Sequence, residues 1–226
     1  MIHNIGHITR LPWLLFAALA ASTIIFYHYP QLDMWSAKQL YNARTGAFIL
    51  EGTAIAEFFR KPVDMGLKYG FLLALFIYLL IRLSPFSIPN HIKSRLNWLF
   101  FNVFLTVLVV VNGILKPFWG RARPSQIKEF GGNLDFSRAW EIVDQCRGQN
   151  CSFTSGHAAL AASVVLLIVF LPKQIQRPFL FVAIIFYATA SFMRMGLGAH
   201  FLSDVISSGM IVFSIAAITW DLWRKA

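Results

Sequence analysis

Charged residues are scarce in this 226-residue chain, and acidic residues are the scarcest of them. Only 13% of the residues are charged, against about a quarter in soluble globular domains. Together with 57% hydrophobic residues and a mean hydropathy of +0.60, this shortage excludes an ordinary soluble domain and indicates a protein of the bilayer. The net charge of +10 comes from cations at the ends of apolar segments. It therefore predicts contact with anionic lipid and a phosphorylated substrate, and no binding of nucleic acid.

The chain also lacks internal repeats, low-complexity runs and flexible linkers, which favours one domain over residues 1–226. A helix needs about 20 mostly apolar residues to cross a bilayer. The fold class predicted from this rule is all-α, a polytopic membrane protein with six transmembrane helices. The first segment ends in aromatic residues and is too long for the core of a signal peptide, so we interpret it as a retained helix. The six segments cover residues 11–29, 66–83, 96–115, 154–171, 178–195 and 201–222.

Six spans place the chain's connections on two sides of the membrane. The loops 84–95 and 172–177, together with both termini, are short and dense in Lys and Arg, which predicts the cytoplasm. The loops 30–65, 116–153 and 196–200 then share the periplasmic face of a bacterial inner membrane. Aromatic and charged residues alternate irregularly in the loop 30–65, which suggests short helices at the interface; a plain connector is the alternative.

Cysteine is nearly absent, and both residues of this type, Cys146 and Cys151, lie in the loop 116–153. Four residues separate them, a spacing that can close a disulfide in an oxidising compartment. We predict this bond, which agrees with a periplasmic loop. Two free thiols are the alternative.

Acidic residues are absent between Asp144 and Asp221 with one exception, Asp204. It falls in the first turn of an apolar span, where an ionised carboxylate is costly unless it is paired or hydrated. His200 lies four residues earlier, within reach of that carboxylate. A carboxylate that accepts a hydrogen bond from one imidazole nitrogen leaves the other with a lone pair, as a nucleophile requires. We predict this role for His200. The alternative is a structural pair, in which His200 and Asp204 only satisfy each other's hydrogen bonds.

Two segments offer groups for a phosphate. Lys116 and Arg123 follow the third span, and a guanidinium fork beside an ammonium suits the oxygens of a phosphate. Ser155, Gly156 and His157 open the fourth span, where backbone N–H groups form an anion site and glycine permits close approach. His157 can protonate a leaving alkoxide and afterwards accept a proton from water.

Arginine occurs at two more positions near these groups. Arg194 closes the fifth span, and the glycines that follow it allow a tight turn, so its guanidinium can share a pocket with His200. Arg121 lies two residues before Arg123 but out of register with the phosphate ligands. We interpret Arg121 as a headgroup or rim contact. The alternative for each of these cations, taken alone, is an interfacial side chain that reaches toward water.

The spacings Lys-x6-Arg-Pro, Ser-Gly-His and Arg-x5-His-x3-Asp occur here in the order typical of one family. Over residues 116–204 the chain resembles the type 2 phosphatidic acid phosphatase/vanadium haloperoxidase superfamily. The resemblance implies a membrane lipid phosphatase without metal or cofactor. It implies that His200 attacks phosphorus to form a phosphohistidine, that Asp204 orients His200, and that His157 acts as acid and base. The phosphoryl oxygens would be held by Lys116, Arg123, Ser155, Gly156 and Arg194.

Two positions depart from the family pattern, because Thr154 replaces the usual proline and Met193 the usual serine. Neither change removes an implied catalytic role. The run from Phe118 to Pro124, residues 129–132 and the Cys-x4-Cys-Ser-Phe stretch are similar to bacterial lipid A phosphatases. Undecaprenyl diphosphate, phosphatidylglycerol phosphate and phosphatidate are alternative substrates, and a phosphotransferase would use the same residues. A membrane transporter or a lipid-binding relative without activity is the alternative of another class. Oligomeric state is left open.

Overall fold

A computed structural model describes residues 10–58, 64–83, 88–146 and 151–223. Both chain ends and parts of three predicted loops, residues 59–63, 84–87 and 147–150, lie outside the described residues. Regular structure is almost entirely helical in the described ranges, apart from a small antiparallel hairpin. The α-helices are α1 (Leu11–His28), α2 (Gln31–Gln39), α3 (Ala54–Phe58), α4 (Asp64–Leu83), α5 (Asn90–Val103), α6 (Lys116–Trp119), α7 (Gly156–Ser163), α8 (Lys173–Gly196) and α9 (Leu202–Trp223). The hairpin strands are β1 (Tyr41–Asn42) and β2 (Ala47–Phe48).

Tighter and wider helical turns extend three of these elements. A π-helical stretch, Phe104–Leu115, joins α5 to α6, and a 3₁₀ stretch, Val164–Phe170, continues α7. Two short 3₁₀ turns, Pro124–Gln126 and Lys128–Phe130, follow α6. The predicted third and fourth spans are thus each composed of more than one kind of helix.

Four helical segments of the described chain are long and apolar enough to cross a bilayer. Two shorter apolar stretches, Leu72–Leu83 and Gly156–Phe170, coincide with the second and fourth predicted spans. The mostly helical fold is therefore confirmed, while length and hydropathy support four of the six predicted spans. The four segments are Leu11–His28, Asn90–Gln126, Lys173–Gly196 and Leu202–Trp223.

The last helix, α9, is the centre of the packing and contacts α1, α7 and α5. Its Val212 is completely buried, as are Val111 of the π-helical stretch and Ala159 and Ala162 of α7. Small residues on α7 let its backbone approach its neighbours closely, which is how membrane helices associate without a hydrophobic difference from the surrounding lipid. This packing brings the first turns of α7 and α9 together.

The segment from α2 to α3 packs against the turn 196–200, which joins α8 to α9. Gly198 has a left-handed φ of 62°, and a Cβ at this position would collide with the ring of Phe48. The N–H of Leu50 donates to the carbonyl oxygen of Gly196 at 3.0 Å. Short helices are present as expected, but neither an interfacial location nor a plain connector accounts for the buried Asp33 of α2. The sequence prediction for residues 30–65 was therefore incomplete.

Candidate active site

His200 is buried, with 2% of its surface exposed, in the turn before α9. Its Nδ1 lies 2.8 Å from the carbonyl oxygen of Ser152. Because a carbonyl oxygen can only accept, Nδ1 carries the proton and Nε2 carries the lone pair. Nε2 has no hydrogen-bond partner in the part of the chain that the structure describes. The imidazole is thus in the tautomer that a nucleophile requires.

The expected hydrogen bond between His200 and Asp204 is not formed, since Nδ1 and Oδ2 are 3.7 Å apart. Asp204 is the third residue of α9, and its Oδ2 accepts the N–H of Phe201 at 2.8 Å, as the acidic partner of a capping box does. The hydroxyl of Ser152 donates to the same oxygen at 2.5 Å. Capping thus holds the carboxylate slightly away from the ring. Ser152 links the two, because its carbonyl contacts His200 and its hydroxyl contacts Asp204.

The prediction that Arg121 is a headgroup or rim contact was wrong, because its side chain is fully buried. Its Nη1 lies 2.6 Å from Oδ1 of Asp204, and its Nη2 lies 2.8 Å from Oδ2 of Asp33. Nε donates to the carbonyl oxygen of Ser137 at 3.1 Å, and the guanidinium lies 4.4 Å from the ring centre of Phe201. A buried guanidinium requires such complete pairing, because water is excluded from it.

Asp33 completes this buried group, although it is not among the site residues predicted from the sequence. Its Oδ1 accepts the N–H of Ser203 at 2.8 Å, and its Oδ2 accepts the Ser203 hydroxyl at 2.6 Å. Asp33 and Asp204 therefore share Arg121 from two sides, and Ser203 ties α2 to the start of α9. No local pattern reveals Asp33, since it lies 88 residues from its guanidinium partner.

The predicted phosphate-binding cations Lys116, Arg123 and Arg194 are all half-buried. Arg194 and Lys116 are close enough to His200 to act on its charge, while Arg123 interacts electrostatically with Asp204. Burial above all, and then repulsion by Arg194 and Lys116, lowers the pKa of His200 to about 3, although Asp204 acts in the opposite direction. The imidazole is consequently neutral at ordinary pH.

The Ser155-Gly156-His157 segment opens α7 beside Asp204. The hydroxyl of Ser155 accepts the N–H of Ala158 at 3.3 Å and so caps the helix, while its own N–H lies 3.4 Å from the carbonyl oxygen of Asp204. His157 is half-buried in the first turn. A Cβ on Gly156 would come within 3.0 Å of the Asn112 amide. The start of α7 is thereby fixed against the start of α9.

Cys146 and Cys151 are joined by a disulfide, with their Cα atoms 5.8 Å apart. Cys151 directly precedes Ser152, whose N–H donates to the carbonyl oxygen of Arg121 at 2.8 Å. The disulfide therefore borders the residue that contacts His200. Within the described ranges, no three His, Cys, Asp or Glu side chains are grouped so that they could hold a metal ion.

A neutral buried imidazole thus lies beside a carboxylate and within electrostatic reach of Arg194 and Lys116, in a chain with four helical segments long and apolar enough to cross a membrane. The PAP2 superfamily model matches residues 95–226, more than half of the chain, and the chain belongs to this superfamily. The resemblance predicted from the three motifs is thereby confirmed.

Similar proteins include the lipid A 4'-phosphatase of Francisella tularensis subsp. novicida, 31% identical over 209 residues that cover 89% of this chain and 91% of that protein. The lipid A 4'-phosphatase of Rhizobium leguminosarum is 40% identical over 47% of each chain. That of Rhizobium etli is 41% identical over 50% of this chain and 45% of its own. The match thus spans about half the length of the two Rhizobium relatives. No solved structure matches this chain.

Proposed function

We propose that this protein is an integral-membrane phosphatase that removes phosphate from a lipid A-type headgroup through a phosphohistidine at His200. The observation that carries the proposal is the state of His200: its Nδ1 proton is held by the Ser152 carbonyl, and its buried Nε2 is left with a lone pair. Arg194 and Lys116 lie close enough to interact with it electrostatically. The Francisella relative, matched over most of both chains, supports the lipid A-type substrate.

The first chemical step is an in-line attack of His200 Nε2 on phosphorus. The N–P bond forms while the bond from phosphorus to the headgroup oxygen breaks, and His157 donates a proton to the departing oxygen. Lys116, Arg123 and Arg194 stabilise the negative charge on the non-bridging oxygens, together with the backbone N–H groups at the start of α7.

The second step releases phosphate. Water attacks phosphorus, His157 accepts a proton from that water, and the electrons of the N–P bond return to Nε2. Inorganic phosphate leaves and His200 regains its starting tautomer. Asp204 stabilises the positive charge that the ring carries while it is phosphorylated.

Six spans, cytoplasmic termini and a periplasmic site in the inner membrane form the topology that we propose. The short basic connections support it, as does the disulfide, which needs an oxidising compartment. Thiol labelling of intact cells without reductant tests it. We expect Cys146 and Cys151 to be protected until a reductant is added, and ready labelling of both would contradict the periplasmic placement.

Phosphate release by the purified protein is the decisive assay. We expect the fastest turnover with a lipid A-type substrate, and slower turnover with undecaprenyl diphosphate, phosphatidylglycerol phosphate and phosphatidate. EDTA should leave the rate unchanged, because three cationic side chains neutralise the phosphate. Absence of release from every lipid tested would refute the proposal, whereas faster turnover of another lipid would replace only the substrate.

A further inference from the structure

We propose that Asp33 is a positioning residue for the reaction: it neutralises Arg121, so that Asp204 keeps its negative charge for His200. This inference rests on the proposed phosphatase mechanism. Asp33 lies in α2, outside residues 95–226 that the family model matches. A residue of the N-terminal segment would thus control how much of the Asp204 charge is available to His200.

The geometry that carries the proposal is a buried row of three charges. Arg121 lies between two carboxylates, with Nη2 2.8 Å from Asp33 and Nη1 2.6 Å from Asp204. The side chains of all three residues are completely inaccessible to solvent. Burial raises the pKa of Asp33, but its carboxylate accepts from three donors, the guanidinium of Arg121 and the N–H and hydroxyl of Ser203, which favour the ionised form. Two ionised carboxylates and one guanidinium leave one negative charge in excess, and Asp204, which shares it, lies next to His200.

The excess charge matches what the reaction needs. When Nε2 of His200 bonds to phosphorus, the ring becomes cationic, and Oδ2 of Asp204 lies 3.7 Å from its Nδ1. If Arg121 had Asp204 as its only partner, the guanidinium would cancel this carboxylate. Charges interact strongly in an interior that excludes water. The number of carboxylates paired with Arg121 therefore determines the net negative charge that stabilises the cationic ring.

Asp33 also fixes geometry, because its Oδ1 accepts the N–H of Ser203, the residue before Asp204. A purely structural role would act through this contact and through packing alone. The charge role and the structural role predict different results when the charges of Asp33 and Arg121 are removed together. A double-mutant cycle therefore separates them.

The test compares kcat and KM of Asp33→Asn, Arg121→Gln and the double variant Asp33→Asn/Arg121→Gln, purified in detergent. Asp33→Asn leaves Asp204 as the one charged partner of Arg121 among the described residues. We expect kcat to fall about 10- to 100-fold, as it does when a residue that supports an active-site group without touching the substrate is removed, with KM little changed. The double variant again has one net negative charge on Asp204. We expect its kcat to exceed that of Asp33→Asn, and a double variant as slow as the slower single variant would overturn the proposal.

Asp135→Asn is the matched control. Asp135 makes the same kind of ion pair, with Lys128 at 2.6 Å, but both side chains are exposed, at 72% and 62%. We expect wild-type kcat from this control. If the wild type releases no phosphate from any lipid, the proposed function fails; if the wild type is active and Asp33→Asn equals Asp135→Asn, only the role of Asp33 is refuted.

Thermal unfolding and gel filtration show whether each variant folds. Asp33→Glu adds a second test, since it keeps the charge and changes the fit. Retention of more kcat by Asp33→Glu than by Asp33→Asn supports the charge role, and the reverse order contradicts it. If Asp33→Asn does not fold, the folded double variant decides: a kcat well above that of Asp204→Asn supports the proposal, and an equal kcat overturns it.

Discussion

The turn 196–200 belongs to the motif region, residues 116–204, and it contacts both the rest of that region and the N-terminal support, residues 31–58. From the motif region, the N–H of Ser125 donates to the carbonyl oxygen of Gly198 at 3.0 Å. From the N-terminal support, Leu50 contacts Gly196 and Phe48 fills the space beside Gly198. The motif region carries all the groups assigned to the phosphate. The N-terminal support contributes packing and one buried charge, so it serves the site without carrying any of the assigned catalytic or phosphate-binding residues.

This difference shows why family motifs do not delimit a working site. The motifs specify what meets the phosphate, whereas the turn that holds His200 also depends on a segment outside the matched residues. Variants of the motif region should therefore act on the chemical step, and variants of the N-terminal support should act on the charge and position of motif residues. Variants of the two regions, compared in turnover and in stability, test this division.

Replacement of His200 by alanine should have the largest effect. We expect His200→Ala to abolish phosphate release, because alanine has no nitrogen lone pair with which to attack phosphorus. The assay is turnover of the purified variant with a lipid A-type substrate, with gel filtration to confirm folding. A folded His200→Ala with a measurable fraction of wild-type turnover would exclude the phosphohistidine route.

Asp204→Asn should have the next largest effect, about 10²- to 10⁴-fold on kcat, because the amide cannot stabilise the charged ring. Asp33→Asn also removes one negative charge, but Arg121 lies between this charge and Asp204. The variant should therefore lose less kcat than Asp204→Asn. Single-turnover kinetics with saturating protein measure the chemical step of both. An equal or larger loss for Asp33→Asn would break the distinction between the two regions.

Spacing predicted that Lys116, Arg123 and Arg194 would lie near His200 and Asp204, and the electrostatic interactions among these residues agree with it. Their roles toward a phosphate stay a prediction. The buried row of charges could not be predicted in the same way. Asp33 occupies an ordinary polar position of a short helix, and its partner Arg121 follows much later in the chain. Only the folded chain brings the two together.

The contacts around His200 show a second limit of sequence patterns. Ser152 contacts the imidazole through its backbone carbonyl, and every residue type has such a group. The interval between His200 and Asp204 predicts a direct hydrogen bond, yet the carboxylate also caps α9, and capping competes for it. The helical framework follows from apolar runs, whereas no local period in the sequence distinguishes the π-helical stretch Phe104–Leu115 and the 3₁₀ stretch Val164–Phe170 from α-helix.

Gly198→Ala tests the packing between the two regions and should have a smaller effect. A side chain at the left-handed φ of 62° is strained, and its Cβ would meet the ring of Phe48. We expect a loss of about 1–3 kcal/mol in the free energy of unfolding and a lower kcat, since His200 follows two residues later.

Gly52 provides the control for this variant, because it also has a positive φ, of 72°, but an added Cβ would have open space around it. Gly52→Ala should therefore show the backbone strain alone and keep wild-type kcat. Thermal unfolding in detergent measures both variants. Equal losses of stability and activity in the two would mean that the contact of Phe48 with the turn has no role in holding His200.

The last prediction concerns stability and not turnover: the free energy of unfolding should depend on pH because of His200. Burial lowers the pKa of its imidazole to about 3, against 6.5 in an unfolded chain. Between these values the unfolded state binds a proton that the folded state does not, so stability rises with pH across this window and falls as the pH drops below 6.5. The contribution should be on the order of 1 kcal/mol for each pH unit. Thermal unfolding of the wild type and His200→Gln at pH 7 and pH 5 measures it. The variant should lose less stability than the wild type between these two pH values. An equal loss in both would show that the imidazole of His200 is not held neutral. Its Nε2 would then be protonated in acid and could not attack phosphorus.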